Sequence, residues 1–175
     1  PEVLDISKET AATRRLYGLD ERLTEDFGRS CLVARRLLER GVRFVQVWSG
    51  ADNGFPRRNW DSHEDIRRDH GEMGTSLDRP AAALIKDLKA RGLLDSTVVV
   101  WAGEFGRLPV GQKGAKPGRD HNPHANTAWL CGGGVKGGVS YGATDDVGYK
   151  AVADRADTHA FHATLLHLLG LDHEK

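Results

Sequence analysis

The chain has 175 residues, with 25 Lys+Arg balanced by 25 Asp+Glu, so the formal charge is zero. That balance removes the electrostatic case for nucleic acid or an anionic membrane surface as the main partner. No apolar run reaches the length of a membrane span, and 175 residues are enough to bury a sizeable core.

Ser7 to Tyr17 predicts a short helix with Ser7 as its N-cap. Asp20 to Arg40 predicts a second, since Phe27, Cys31, Ala34 and Leu38 recur at helical spacing and Gly41 is a stop. Val42 to Trp48 alternates apolar and polar residues and predicts a strand. Residues 49–60 are loop, rich in Gly, Asn, Asp and Pro, and His63 to His70 predicts a short helical turn. A helix is expected from about Glu72 to Arg91, with Leu77, Ala81, Leu84, Ile85 and Leu88 as its apolar stripe and Pro80 as a kink or break.

Thr97 to Trp101 is β-branched or aromatic throughout, which suits a strand covered on both faces. Strand, helix, strand then reads as a βαβ unit with parallel strands. In that geometry the loop after Trp48 and the loop after Trp101 open on one edge of the sheet. Asn126 to Cys131 is a third strand, Gly132 to Gly138 a glycine turn, Val139 to Tyr141 a short returning strand, and Asp145 to Arg155 irregular. Thr158 to Leu169 closes the chain as a helix. Cys31 and Cys131 sit apart in apolar contexts outside any CxxC pattern, which reads as small buried hydrophobes rather than a thiolate metal site.

The candidate chemistry lies in the loops. Trp60-Asp-Ser-His63 sets a carboxylate and an imidazole two residues apart, a spacing that lets both reach one cation in an extended loop; the plain alternative is an Asx turn beside a surface histidine. Glu104 follows the strand at Trp101 and must be paired, solvated or metal-bound, with Arg107 as the simplest partner. Arg107 and Arg119 can grip a phosphate or sulfate, or pair with acids. Asp120-His121 reads as two ligands or as a ligand with the group that orients it. Gly132 to Gly138 lacks the phosphate-loop pattern and is read as a tight turn.

These segments together resemble the DUF1501 proteins, sulfatase-like members of the alkaline phosphatase superfamily. The resemblance rests on Arg35 to Val47, Trp60 to His63, Gly92 to Arg107, Gly118 to His121 and His162 to Asp172. It implies a three-layer α/β/α sandwich on a mostly parallel sheet, of which residues 1–175 are the C-terminal portion of a single domain. It also implies a hydrolase of sulfate or phosphate esters that uses a divalent metal, Zn, Mn or Ca. By resemblance Asp61, His63, Glu104 and His121 are the metal ligands; beside them the residues themselves suggest Asp120 and His124 as orienting groups and Arg107 and Arg119 as stabilisers of the anion. The nucleophile would lie in an N-terminal half outside this chain. The implied partners are a sulfated or phosphorylated small molecule or glycan and that missing half, in an exported or periplasmic protein. The chain departs from the pattern where Glu stands at position 104, Phe105 occupies the next ligand position and Leu108 replaces a common Thr. The rival reading is a non-catalytic secreted module that keeps the fold for binding or structure.

Overall fold

The computed structural model describes residues 2–50, 59–111, 113–114 and 116–174. They form two compact units, the first of residues 1–93 with Gly114–Gly118 and the second of Leu94–Lys113 with Arg119–Lys175.

The first unit is helical. α1 spans Ala11–Leu16, α2 Glu25–Glu39 and α3 Ile66–Ala90. Thr10, not Ser7, caps α1, its hydroxyl accepting from the Thr13 amide. α3 begins earlier than its apolar stripe suggests, because Asp65 caps it through the Arg68 amide. It then runs unbroken through Pro80, which is buried. The core is built from Ile6, Tyr17, Cys31, Leu32 and Ala83, with Leu19, Phe27, Val33 and Leu84 packed around it. Each fully buried leucine of this kind contributes on the order of 1.5–3 kcal/mol.

A charged layer crosses this core. Arg35 is 2 % exposed. Its Nη1 donates to Glu39 at 2.6 Å, while Nη2 lies 2.9 Å from Glu9 and Nε 3.0 Å from Asp87. The last two contacts are off the hydrogen-bond line, so they attract mainly as charges. The Tyr17 hydroxyl donates to Asp87 Oδ2 at 3.0 Å, and Arg91 Nε bonds the same carboxylate at 2.7 Å. Burial works against the charge on Arg35, but the carboxylates of Glu39 and Glu9 outweigh it and raise its pKa.

The second unit is built from short antiparallel pairs. β1 (Val99–Trp101) pairs with β4 (Trp129–Cys131), β2 (Gly106–Arg107) with β3 (His121–Asn122), and β5 (Ala143–Thr144) with β6 (Ala151–Ala153). α4 follows over Thr158–Leu168, capped by Asp157 through the Ala160 amide. The segment 132–138 is a turn region, and Gly133 donates its amide to the Leu94 carbonyl at 2.9 Å.

This overturns the expected three-layer sandwich and its parallel sheet. Among the described residues every sheet has two strands, and every pair is antiparallel. Val42 to Trp48 joins no ladder; Phe44 and Trp48, on one side of it, are 79 % and 80 % exposed. Alternation specifies an extended backbone with two unlike faces, but it does not supply a partner strand. β1 is not covered on both faces either, since Val100 is exposed and the strand takes the nearby apolar run at Trp129 as an antiparallel neighbour. Among the described residues no strand pairs in parallel, so they contain no βαβ crossover. Among the described residues no sheet contains both Val42 to Trp48 and β1, so the loops after Trp48 and Trp101 do not share a sheet edge. Much of the expected loop over 49–60 lies outside the described residues.

Candidate metal centre

Asp61 and His63 stand in the first unit, just before α3. The Ser62 amide donates back to the Trp60 carbonyl at 2.9 Å, a tight turn centred on Asp61, and the Asp61 and His63 side chains meet beyond it. Ser62 is buried, and its hydroxyl donates to Asp69 Oδ2 at 2.7 Å. His70 Nε2 donates to the Trp60 carbonyl at 2.8 Å, and its ring meets the Trp60 indole edge-on at 5.2 Å. Trp60 in turn donates from Nε1 to Ser49 Oγ at 3.1 Å. The N-terminal end of α3 thus holds residues 60–62 through Asp69 and His70.

Asp69 is the buried acid of this clamp. Burial favours its neutral form, but the hydrogen bonds from Arg68 and Ser62 outweigh that and hold its pKa below the usual carboxylate range. A second support comes from the segment ending at Gly118. Any side chain at Gly118 would overlap the backbone of His63 and Glu64, so only glycine allows the close approach. Lys116 reaches Asp65 at 3.6 Å on the same stretch.

With its backbone fixed from two sides, the pair is short. His63 Nε2 lies 3.0 Å from Asp61 Oδ1, and both side chains are about a third exposed. As a hydrogen bond, the imidazole N–H donates to the carboxylate. The same two atoms also suit a shared cation. Ligand atoms each about 2.1 Å from one ion lie about 3.0 Å apart at a right angle and about 3.4 Å apart at the tetrahedral angle. The donor set therefore fits a divalent ion with little movement, provided the ion replaces the His63 Nε2 proton.

The other expected site residues lie in the second unit. His121 and Arg107 are register partners in the β2–β3 hairpin. Arg107 Nη1 donates to the Arg119 carbonyl at 3.3 Å, and its guanidinium lies over the Phe105 ring at 5.7 Å. Phe105 also packs on the His121 ring, with centroids 4.1 Å apart. The position after Glu104 thus carries a ring that supports both His121 and Arg107. Glu104 itself is exposed in the bend after β1, and among the described residues it has no ion pair, with Arg107 or otherwise. Asp120 gives its carbonyl to the Leu108 amide and its amide to the Val110 carbonyl, which extends the hairpin. His124 stacks on Tyr149 at 5.9 Å.

The supporting residues Ser62, Asp69, His70 and Gly118 were not among the sequence candidates. Asp65 ahead of Ile66 is the signal that reveals them, because a helix capped there places Asp69 at the end of its first turn and His70 just after it, within reach of Ser62 and Trp60.

No curated protein matches this chain, and no solved structure does. A family model described as "Protein of unknown function (DUF1501)" matches residues 1–175, the whole of the sequence. The chain belongs to the DUF1501 family.

Proposed function

We propose that this chain is part of a metal-dependent hydrolase of sulfate or phosphate esters, with Asp61 and His63 as two of the metal ligands. The observation that carries the reading is the 3.0 Å separation of a carboxylate oxygen and an imidazole nitrogen on a segment braced from two sides. Ligands held in place by buried neighbours are what a metal site requires. The sequence nominates His121 and Glu104 as further ligands.

A bound divalent ion would supply Lewis-acid stabilisation of charge on the ester oxygens. The sequence likewise nominates Arg107 and Arg119 for the non-bridging oxygens of the ester, a task suited to guanidinium donors. Asp69 and Ser62 keep the ligand loop still, and His63 gives up its Nε2 proton when metal enters.

The test is calorimetric titration of the chain with Zn, Mn and Ca, run in two buffers of different ionisation heat. Saturable binding with release of about one proton is expected. Asp61→Ala and His63→Ala should each abolish it, and His121→Ala and Glu104→Ala report on the two nominated ligands. Equal heats in the wild type and in an Asp61→Ala/His63→Ala double variant would end the metal reading.

A further inference from the structure

A separate arrangement in the second unit has the chemistry of an anion site. Asn122, at the end of β3, is 1 % exposed. Its side-chain amide donates to the Tyr149 carbonyl at 2.9 Å, and its Oδ1 accepts the His124 amide at 2.9 Å. The Ala151 amide donates to the His124 carbonyl at 3.0 Å. One buried side chain and one backbone bond therefore tie residues 122–124 to residues 149–151. Along this seam runs a cleft of about 250 Å³ lined by His124, Tyr149, Lys150, Ala151 and Arg155.

The lining is one-sided in charge. It holds Lys150 and Arg155 and no carboxylate. Among the described residues neither cation forms an ion pair, although their chain is rich in acids. The neighbouring carboxylate of Asp145 is occupied by the Tyr149 amide, which donates to it at 2.7 Å. The His124 and Tyr149 rings lie nearly parallel, 25° from coplanar, and give the cleft an aromatic wall. Two uncompensated cations beside an aromatic wall match a ligand that carries a negative group on a ring.

We propose that this cleft binds an anionic group, such as a phosphate or sulfate monoester, carried on a ring. Lys150 and Arg155 hold the anion, and the His124–Tyr149 wall takes the ring. Asn122 is a positioning residue that keeps the two walls at their spacing.

The experiment is an amide-resolved NMR titration of the full chain with phenyl phosphate, phenyl sulfate and inorganic phosphate. Chloride keeps the ionic strength constant, and EDTA is present throughout. Saturable shifts at residues 122–124 and 149–155 are expected, with the ring-bearing ligands binding more tightly than inorganic phosphate. Preference between the two phenyl esters identifies the anion. A Lys150→Gln/Arg155→Gln variant, altered only at exposed positions, should keep its circular dichroism spectrum and weaken binding by about tenfold or more. Tyr149→Leu should erase the advantage of the ring. Shifts that do not saturate, or that persist unchanged in the double variant, would overturn the proposal. Inorganic phosphate binding as tightly as the phenyl esters would overturn the role of the aromatic wall. Because the chelator removes metal, failure here leaves the Asp61–His63 reading standing, and the reverse also holds.

Discussion

Ser62 donates its hydroxyl to Asp69 Oδ2 at 2.7 Å, with both residues 1 % exposed. This bond joins the segment that carries Asp61 and His63 to the first turn of α3. Because Ser62 lies between the two in the chain, anchoring it restrains the backbone of both neighbours. The candidate ligands are thus held by a residue that is not itself a candidate ligand.

Removing the anchor should cost stability and affinity together. Ser62→Ala leaves a buried carboxylate oxygen on Asp69 without its donor, a loss of about 1–3 kcal/mol. Thermal unfolding should shift down by about 2–4 °C for each kcal/mol lost in a chain of this size. Metal affinity should fall about 10–100-fold although Asp61 and His63 are intact. A calorimetric titration with unchanged affinity would show that the anchor is structural only.

Acid should weaken the first unit before the second. Asp69 is depressed despite its burial, by the hydrogen bonds from Arg68 and Ser62, and Glu9 despite its own, by the hydrogen bond from Arg36 and the nearby charge of Arg35. A depressed folded-state pKa means that the unfolded chain binds the proton more readily. The stabilisation is therefore complete above the unfolded values, about 3.9 for Asp and 4.3 for Glu, and is lost as pH falls below them through the lower folded values. Urea unfolding at steps between pH 6 and pH 2.5 should show this loss, and Glu9→Gln should reduce its steepness.

Arg35 should be hard to replace singly. Arg35→Met removes the one cation that faces Glu9, Glu39 and Asp87 together and leaves their carboxylates crowded at the edge of the core. Breaking a buried pair from one side costs about 3–5 kcal/mol. The urea midpoint should fall accordingly, and a Glu9→Gln/Asp87→Asn background should recover part of the loss. No recovery would mean that the guanidinium acts by packing alone.

Legibility followed how local each determinant was. α2 and α4 end near where periodicity, Gly41 and Gly170 place their stops, because capping and apolar spacing act within a few residues. The Asp61–His63 spacing was readable for the same reason. Pairing was not: Val42 to Trp48 has a strand's alternation, yet a ladder needs a second segment whose position no local pattern encodes. The sequence divides this stretch into a helical turn over His63 to His70 and a helix from Glu72, because residues 66–71 carry little apolar periodicity; with Asp65 as cap the two are one helix. A helix that starts at Glu72 leaves Asp69 outside it, so the contact of Asp69 with Ser62 has no signal in the local pattern.

The two thiols should differ in access. Burial pushes the Cys31 thiol up to about 12, and the residue is 1 % exposed in the helical core, whereas Cys131 lies half-buried in β4. At pH 8 iodoacetamide should modify Cys131 slowly and leave Cys31 untouched until denaturant is added. Mass spectrometry of the labelled peptides gives the order directly, and equal labelling of the native protein would contradict the packing of α2.

Gly118 provides the sharpest separation of the ligand loop from the rest of the fold. A methyl group there would overlap the His63 and Glu64 backbone, which cannot swing aside as a flexible side chain would. Two relaxations are available: the 116–118 segment lifts away and breaks the Lys116–Asp65 contact, or residues 63–64 shift and Asp61 and His63 lose their 3.0 Å spacing. The helical core is built from Ile6, Tyr17, Cys31, Leu32 and Ala83, none of which touches this point in the clash, so it should survive either change. Gly118→Ala is expected to keep the helical circular dichroism signal and most of the thermal stability. Metal affinity should drop about tenfold or more if the loop is what yields. Lys116→Ala separates the two routes, since it removes the lysine contact without crowding His63. A full loss of binding in Lys116→Ala with none in Gly118→Ala would show that the glycine contact does not position the pair.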